Sequence, residues 1–327
     1  MTDRRTVIRV LAAGIIAVPL VAREQTATTV RRIGLLSGSA PATPAVRHGI
    51  DARLRELGWV EGGNLLIERR YANGRAELLQ PFAEELVRLK VELIGTVGTQ
   101  AAVAAKNATT SIPIVMFGAG DPVRTGLVAS LARPGGNITG YSMVGPEIDA
   151  KRLALLREVL PAAQRIGVLV NSTNPISAVV QKETEPLYRS LGMQPIIIAV
   201  AGESELENAV AEIARRRAQA LVVVDDALFY VHRVSIMNAA LRYRLPTLGE
   251  NPEMLKAGAV LSYFVSPSEQ YRRYAAFVDK ILRGAKPADL PIEQPTQFEL
   301  GINLKTAKAL AITIPKTLLL RADEVIQ

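Results

Sequence analysis

Residues 112–142, Ile112-Pro-Ile-Val-Met-Phe-Gly-Ala-Gly-Asp-Pro-Val-Arg-Thr-Gly-Leu-Val-Ala-Ser-Leu-Ala-Arg-Pro-Gly-Gly-Asn-Ile-Thr-Gly-Tyr-Ser142, decide the fold. After Pro113, the run 114–117 is wholly apolar and opens on two β-branched residues, the composition of a buried strand. The small-residue loop Gly118-Ala119-Gly120-Asp121-Pro122 follows, and residues 125–131 take up a helical period. Arg133-Pro134-Gly135-Gly136-Asn137 then breaks the pattern, and 138–141 reads as a connecting strand. A strand, a loop and a helix in that order form one unit of a parallel sheet, because parallel strands need a crossover to join them.

Upstream the same alternation appears. Strands are expected at 33–37, 65–71 and 93–97, and helices at 43–57, at 77–90, and from Gly98-Thr99-Gln100 to Lys106. The first of these helices puts Val46, Ile50, Leu54 and Leu57 on one side and is closed by Gly58. Downstream the alternation restarts near Gly145, with strands expected at 166–170, 194–200, 220–224, 246–249 and 259–263, and helices at 149–160, 175–191, 203–216 and 230–243. A long helix at 268–284, striped by Tyr271, Ala275, Val278 and Leu282, is expected to return to the first lobe. The fold class is therefore α/β, with two doubly wound parallel-sheet lobes joined by a multi-crossover hinge. Residues 30–144, with 267–290 returning, make the N-terminal lobe and 145–266 the C-terminal lobe. Residues 291–327 carry a final strand at 298–303 and helices, whose lobe the sequence leaves open.

The composition agrees with two cores: 327 residues, 49% hydrophobic and 21% charged. The formal net charge of +8 includes Arg4, Arg5 and Arg9, which precede an uncharged apolar stretch at 10–22 and a Thr-rich run to residue 29. That layout is a secretory signal peptide over 1–29, too short in its apolar part to span a bilayer. Its paired arginines also resemble a twin-arginine signal loosely, and the expected location of the mature protein is the periplasm. With no Cys, disulfides, thiolate metal sites and cysteine nucleophiles are excluded, and so is a lipid anchor on cysteine. His48 and His232 lie too far apart in sequence to suggest a metal cage, so neither metal nor cofactor is expected.

In open α/β sheets ligands bind beyond the carboxyl ends of the strands, so the loops there are the candidate site. In the first lobe these are Ser37, Gly38 and Ser39, then Gly98, Thr99 and Gln100, then Gly118 and Asp121, with Tyr141 as an aromatic wall. Free N–H groups at the start of the helix at Thr99 suit a carboxylate, while Thr99 and Asp121 serve equally well as helix caps. In the second lobe the candidates are Asn171, Ser172 and Asn174, the pair Asp225 and Asp226, Glu250 and Tyr263. Facing loops of this kind suit a zwitterion such as an amino acid.

Signals for catalysis are poor. Gly118-Ala119-Gly120 has Val123 where a dinucleotide fingerprint needs its third glycine, and there is neither a Walker loop nor a nucleophile elbow. His232, Asp226 and Ser235 fall on or beside one helix, which fits a shared surface better than a triad. Arg215-Arg216-Arg217 lacks interleaved aromatics, so no nucleic-acid partner is expected.

Several segments carry a resemblance. "RRIGLLS", "LRELGWVEGGNLLIERRYANG", "AEELVRLKVELI", "IPIVMFGAGDPVRTGLVASLARPGGNITGYS", "LVNSTNP" and "FVDKILRGAKPADLPIEQPTQFELGINLKTAKALAITIP" together resemble the ABC transporter substrate-binding protein family, in its tryptophan- and tyrosine-binding-protein-like branch. The resemblance covers essentially everything after residue 30. It implies a periplasmic-binding-protein type I fold, a small ligand clamped between lobes by hinge closure, no enzymatic activity, and delivery to an inner-membrane ABC permease with its ATPase. By the same analogy, contacts come from the loops at Ser37, Thr99, Asp121, Asn171, Asp225 and Glu250. The chain departs from the pattern at Gln100, where relatives often have Pro, and in "NSTNP", which is more polar than the usual "NPANP". The expected form is a monomer binding an aromatic or amino-acid-like solute. The alternative is a secreted sensor domain presenting the same closed form to a receptor kinase or chemoreceptor.

Overall fold

Strands rich in Ile, Leu and Val form two sheets, and the computed structural model describes residues 30–41, 43–143 and 146–327. The expected signal peptide lies outside the described residues. The first sheet has the order β2-β1-β3-β4-β5, built from β1 Arg31–Ser37, β2 Leu65–Tyr71, β3 Ile94–Val97, β4 Ile114–Ala119 and β5 Ile138–Ser142, all parallel. Its helices are α1 Pro44–Glu56, α2 Leu79–Arg88 and α3 Thr99–Ala108. Leu36, Ile94, Ile114 and Met116 pack on α2 and α3 to make one core.

The second sheet has the order β12-β11-β10-β9-β8-β6-β7. In chain order its elements are α4 Pro146–Val159, β6 Arg165–Asn171, α5 Ser177–Ser190, β7 Gln194–Val200, α6 Leu206–Arg215, β8 Ala220–Val223, α7 Ala227–Val231, α8 Arg233–Arg242, β9 Thr247–Gly249, α9 Pro252–Ala257 and β10 Leu261–Val265. There follow α10 Pro267–Leu282, β11 Phe298–Asn303, α11 Leu304–Ala309, α12 Lys316–Leu319 and β12 Glu324–Ile326. The strand left open by the sequence, β11, runs antiparallel to β10, and β12 adds to it in parallel. One face of this sheet packs Leu155, Ile166, Val168 and Tyr188, the other Val210, Ile213, Val223 and Phe229.

The helix α10 leaves β10 in the second sheet and lies on α1, β4 and β5 of the first. Tyr274, Phe277, Val278 and Ile281 pack there with Ile33, Leu54 and Val115, and Trp59 Nε1 donates to Asp279 at 2.9 Å. The chain crosses between lobes after β5, at Ser266 before α10, and at 292–297 before β11. Around the last two crossings Glu269, whose side chain is fully buried, accepts from Thr296 Oγ1 at 2.7 Å, from Gln297 N at 2.9 Å and from Arg273 Nε at 3.0 Å.

Several expected elements differ. Residues 125–131 form turns rather than a helix, because Gly126 takes a left-handed φ of 70° and Leu131 O is claimed by Ile292 N of the returning crossover. The helix expected at 230–243 is two helices broken at His232, the first capped by Asp226. The strand expected at 259–263 begins later, since Ala259 N still closes α9 by donating to Met254 O.

Candidate functional site

The carboxyl ends of both sheets face one cavity of about 380 Å³, a volume in the range of small-molecule sites. Of the expected contacts, Ser37, Gly38, Ser39, Gly98, Thr99, Gln100, Gly118, Asn174, Asp225, Asp226 and Glu250 line it. In the first lobe, Ser39 N donates to Ser37 Oγ at 3.1 Å, and Gly120 N donates to Thr99 Oγ1 at 2.8 Å, tying the loops after β3 and β4 together. Gly98 has φ 86°, a conformation available to glycine at little cost, and it aims the start of α3 at the cavity. The first N–H groups of a helix have no partner within it, so those of Thr99, Gln100 and Ala101 are open to an acceptor.

The second-lobe wall is acidic and ordered by hydrogen bonds. Asp226 is used up structurally: it accepts from Asn171 Nδ2 at 2.9 Å, Asn174 Nδ2 at 2.7 Å and Leu228 N at 2.8 Å. Arg152 is buried, with Nη1 3.0 Å from Glu250 Oε2 and 2.8 Å from Asp149 Oδ1, and its Nε donates to Tyr263 O at 3.1 Å. Glu250 Oε2 also accepts from Asp225 N at 3.2 Å. Asp225 Oδ1 accepts from Asn251 Nδ2 at 2.8 Å, and its other oxygen has no partner among the described residues. Asp225 shows exposed surface, but that surface faces the cavity and is ringed by protein. Burial therefore raises its pKa above the ordinary carboxylate value, opposed by Asn251 and Arg152. Burial pushes Glu250 up to about 7, with Arg152 pulling the other way.

Five expected contacts lie away from the cavity lining. Asp121 caps its own loop, accepting from Val123 N and Arg124 N, each at 3.0 Å. Tyr141 is fully buried in the hinge beneath the Arg273 guanidinium, 5.9 Å from the ring centroid, and forms no cleft wall. Asn171 turns inward to Asp226, and Ser172 Oγ donates to Val200 O at 3.1 Å. The Tyr263 ring stacks on Phe298 at 5.5 Å, leaving only its carbonyl toward the site.

The sequence reading missed Asp149, Arg152 and the rings of Tyr71, Phe117, Tyr230, Tyr271 and Tyr274, all in the lining. A signal existed for two of them. Arg152 continues the buried stripe Leu155, Leu156, Val159 backwards by one helical turn, and an arginine on such a stripe needs a buried partner. Tyr71 ends β2, at the same carboxyl end of the sheet as Ser37.

The lobes touch across the cavity mouth. Gln100 Nε2 donates to Thr173 O and lies 3.1 Å from Thr173 Oγ1, while Arg124 pairs with Glu183 of α5. A Cβ on Gly120 would fall 2.7 Å from Ile176 Cγ1, and one on Gly38 3.0 Å from the Ala227 Cβ. The cleft is thus bridged at its mouth. Among the described residues there is no His/Asp/Glu group able to hold a metal, and no helix is long and apolar enough to cross a membrane.

Comparison with known proteins agrees with this architecture. The family model for ABC transporter substrate binding protein matches residues 35–326. The Tyrosine-binding protein of Clostridioides difficile (strain R20291) is 27% identical over 270 residues, covering 83% of this chain and 77% of that protein. Among solved structures, a conserved domain protein from Vibrio cholerae O1 biovar El Tor superposes with a TM-score of 0.86 at 26% identity. An ABC domain from Streptococcus pneumoniae in complex with L-Trp gives 0.84 at 25% identity. Both structures cover 91% of this chain and 100% of their own.

Proposed function

Since the chain belongs to the ABC transporter substrate-binding protein family, we propose that it is the periplasmic receptor of an importer and clamps an aromatic amino acid between its lobes. The observation that supports this most directly is the pairing of opposite recognition chemistry across one cavity. On one wall Asp225 keeps an unpartnered carboxylate oxygen; on the other, the start of α3 offers N–H groups beside the Ser37, Ser39 and Thr99 hydroxyls. The first matches an ammonium group and the second a carboxylate. The rings of Tyr71, Phe117, Tyr271 and Tyr274 line the space between, where an aromatic side chain gains offset or edge contacts. The names of two relatives, one tyrosine-binding and one solved with L-Trp, point the same way.

The role is mechanical. Ligand contacts made by both lobes exist together only in the closed form, so binding shifts the hinge toward closure. A permease with its ATPase would then read the closed shape, with contents, as the form to engage.

Thermal unfolding of the ligand-free mature protein against the amino acids tests the reading. A ligand at 100 times its Kd adds about 2.7 kcal/mol to stability; tyrosine, phenylalanine or tryptophan is expected to give that shift. No shift with any amino acid, or chemical turnover of one, would remove the proposal.

A further inference from the structure

Resting on that reading, we infer that the amine of the ligand is its obligatory group and the carboxylate dispensable, so that the site accepts arylalkylamines alongside aromatic amino acids. The inference follows from where the cavity's charges are spent. Its second-lobe wall carries Asp149, Glu183, Asp225, Asp226, Glu250 and Glu253 against a single cation, Arg152, among the described lining residues. Arg152 gives Nη1 to Asp149 and Glu250 and Nε to the Tyr263 carbonyl, so its charge is shared by two carboxylates. Glu183 is neutralised by Arg124 and Glu253 by Lys256 at 3.1 Å, and Asp226 is saturated by two amides and a backbone N–H. Of the six, Asp225 alone both makes no ion pair and keeps an oxygen without a partner among the described residues.

The two ends of a zwitterion therefore meet unequal partners. Its ammonium meets an ionisable carboxylate in a cavity that shields it from water, with the Tyr71, Tyr230 and Tyr271 rings in the same lining to favour a cation further. Its carboxylate meets neutral donors, the hydroxyls and the first N–H groups of α3, while the charge of Arg152 is already shared by Asp149 and Glu250 on the second-lobe wall. Both ends form charge-assisted hydrogen bonds, but the pair of opposite charges formed at Asp225 adds direct Coulomb attraction in a low-dielectric cavity, which the neutral donors do not supply. A buried Asp225 left facing no cation also carries a desolvation penalty that a ligand carboxylate cannot relieve. Removing the amine forfeits both effects, whereas removing the carboxylate forfeits only the weaker set.

The test is calorimetric titration of the wild-type protein with L-tyrosine, tyramine and 3-(4-hydroxyphenyl)propionate, which share one ring and differ in the charged ends; L-tryptophan, tryptamine and 3-indolepropionate repeat the comparison. The expected result is that the amine binds within about tenfold of its amino acid and the acid at least about 100-fold more weakly, the latter gap corresponding to about 2.8 kcal/mol. Asp225→Asn should weaken tyramine by a similar factor. If the amino acid binds and its amine does not, or if the acid binds as well as the amino acid, the inference is overturned while the receptor reading stands. If none of the six binds, both are overturned. The ligand series needs no variant, so a folding defect in Asp225→Asn leaves the outcome decisive.

Discussion

Glu250 stands in the second-lobe wall at 8% exposure, between Arg152 and the backbone of Asp225, and its chemistry makes the site respond to pH. Burial raises its pKa from an ordinary 4.5 to about 7, and burial raises Asp225 in the same direction. A carboxyl whose folded pKa lies above its unfolded value favours the fold when protonated. Its contribution is full below about pH 4.5 and is lost as pH climbs through 7. For the ligand-free protein, Glu250→Gln is therefore expected to flatten the melting temperature between pH 4.5 and 7 relative to wild type; superimposable profiles would show that Glu250 does not titrate there. Ligand affinity should run the other way, strengthening as pH rises and Asp225, whose pKa burial raises, ionises to meet an ammonium. Glu269 in the hinge is the opposite case. Its burial acts to raise the pKa, but hydrogen bonds from Thr296, Gln297 and Arg273 outweigh burial and lower it, so its contribution is present at neutral pH and lost on acidification.

Elements place these residues, and β5 is the one with least tolerance. Gly140 has φ 129°, and a Cβ there would lie 2.4 Å from Met116 O and 2.5 Å from Met116 N, backbone atoms of the neighbouring β4. No rotamer relieves a clash with backbone. Gly140→Ala should therefore part β4 from β5 next to the hinge and cost at least about 2 kcal/mol, measured as a lower midpoint in urea denaturation; an unchanged midpoint would mean the strands are less closely paired. At this scale the sequence was readable where period and composition agreed: β2, β7 and β11 begin and end at the expected residues. It misled where a non-local partner intervened. Residues 125–131 have a helical period, yet Gly126 turns left-handed within them and the crossover before β11 claims the Leu131 carbonyl, a partner that nothing local announces.

In the whole molecule the two lobes meet through contacts that no single lobe contains. Gln100 to Thr173 and Arg124 to Glu183 bridge the cavity mouth and favour the closed arrangement independently of a ligand. The ion pair is exposed and contributes little by itself, on the order of 0 to 1 kcal/mol. Together with the amide contact, though, it biases an equilibrium in which even about 1.4 kcal/mol is a tenfold change in population. The double variant Gln100→Ala, Glu183→Ala is expected to open the ligand-free protein, read as a larger radius of gyration in solution scattering, and to raise ligand Kd several-fold. Identical scattering and affinity in the variant would show that closure depends on the ligand alone. Both bridging residues lie in loops or on helix surfaces, positions whose partners are set by how the lobes dock.

The local sequence determined the alternation of strands and helices, the two-lobe architecture and the loops that gather at the carboxyl ends, because side-chain periodicity and turn chemistry act over a few residues. Tertiary structure alone decided which acids are spent and which is free. Asp225 and Asp226 are adjacent and chemically alike, but Asn171 and Asn174 turn to one and leave an oxygen of the other facing the cavity. It also decided that Tyr141 enters the hinge core while Tyr71, Tyr271 and Tyr274 line the site. Such outcomes depend on contacts between residues far apart in the chain, whose energies exist only once both sheets and the returning α10 are in place.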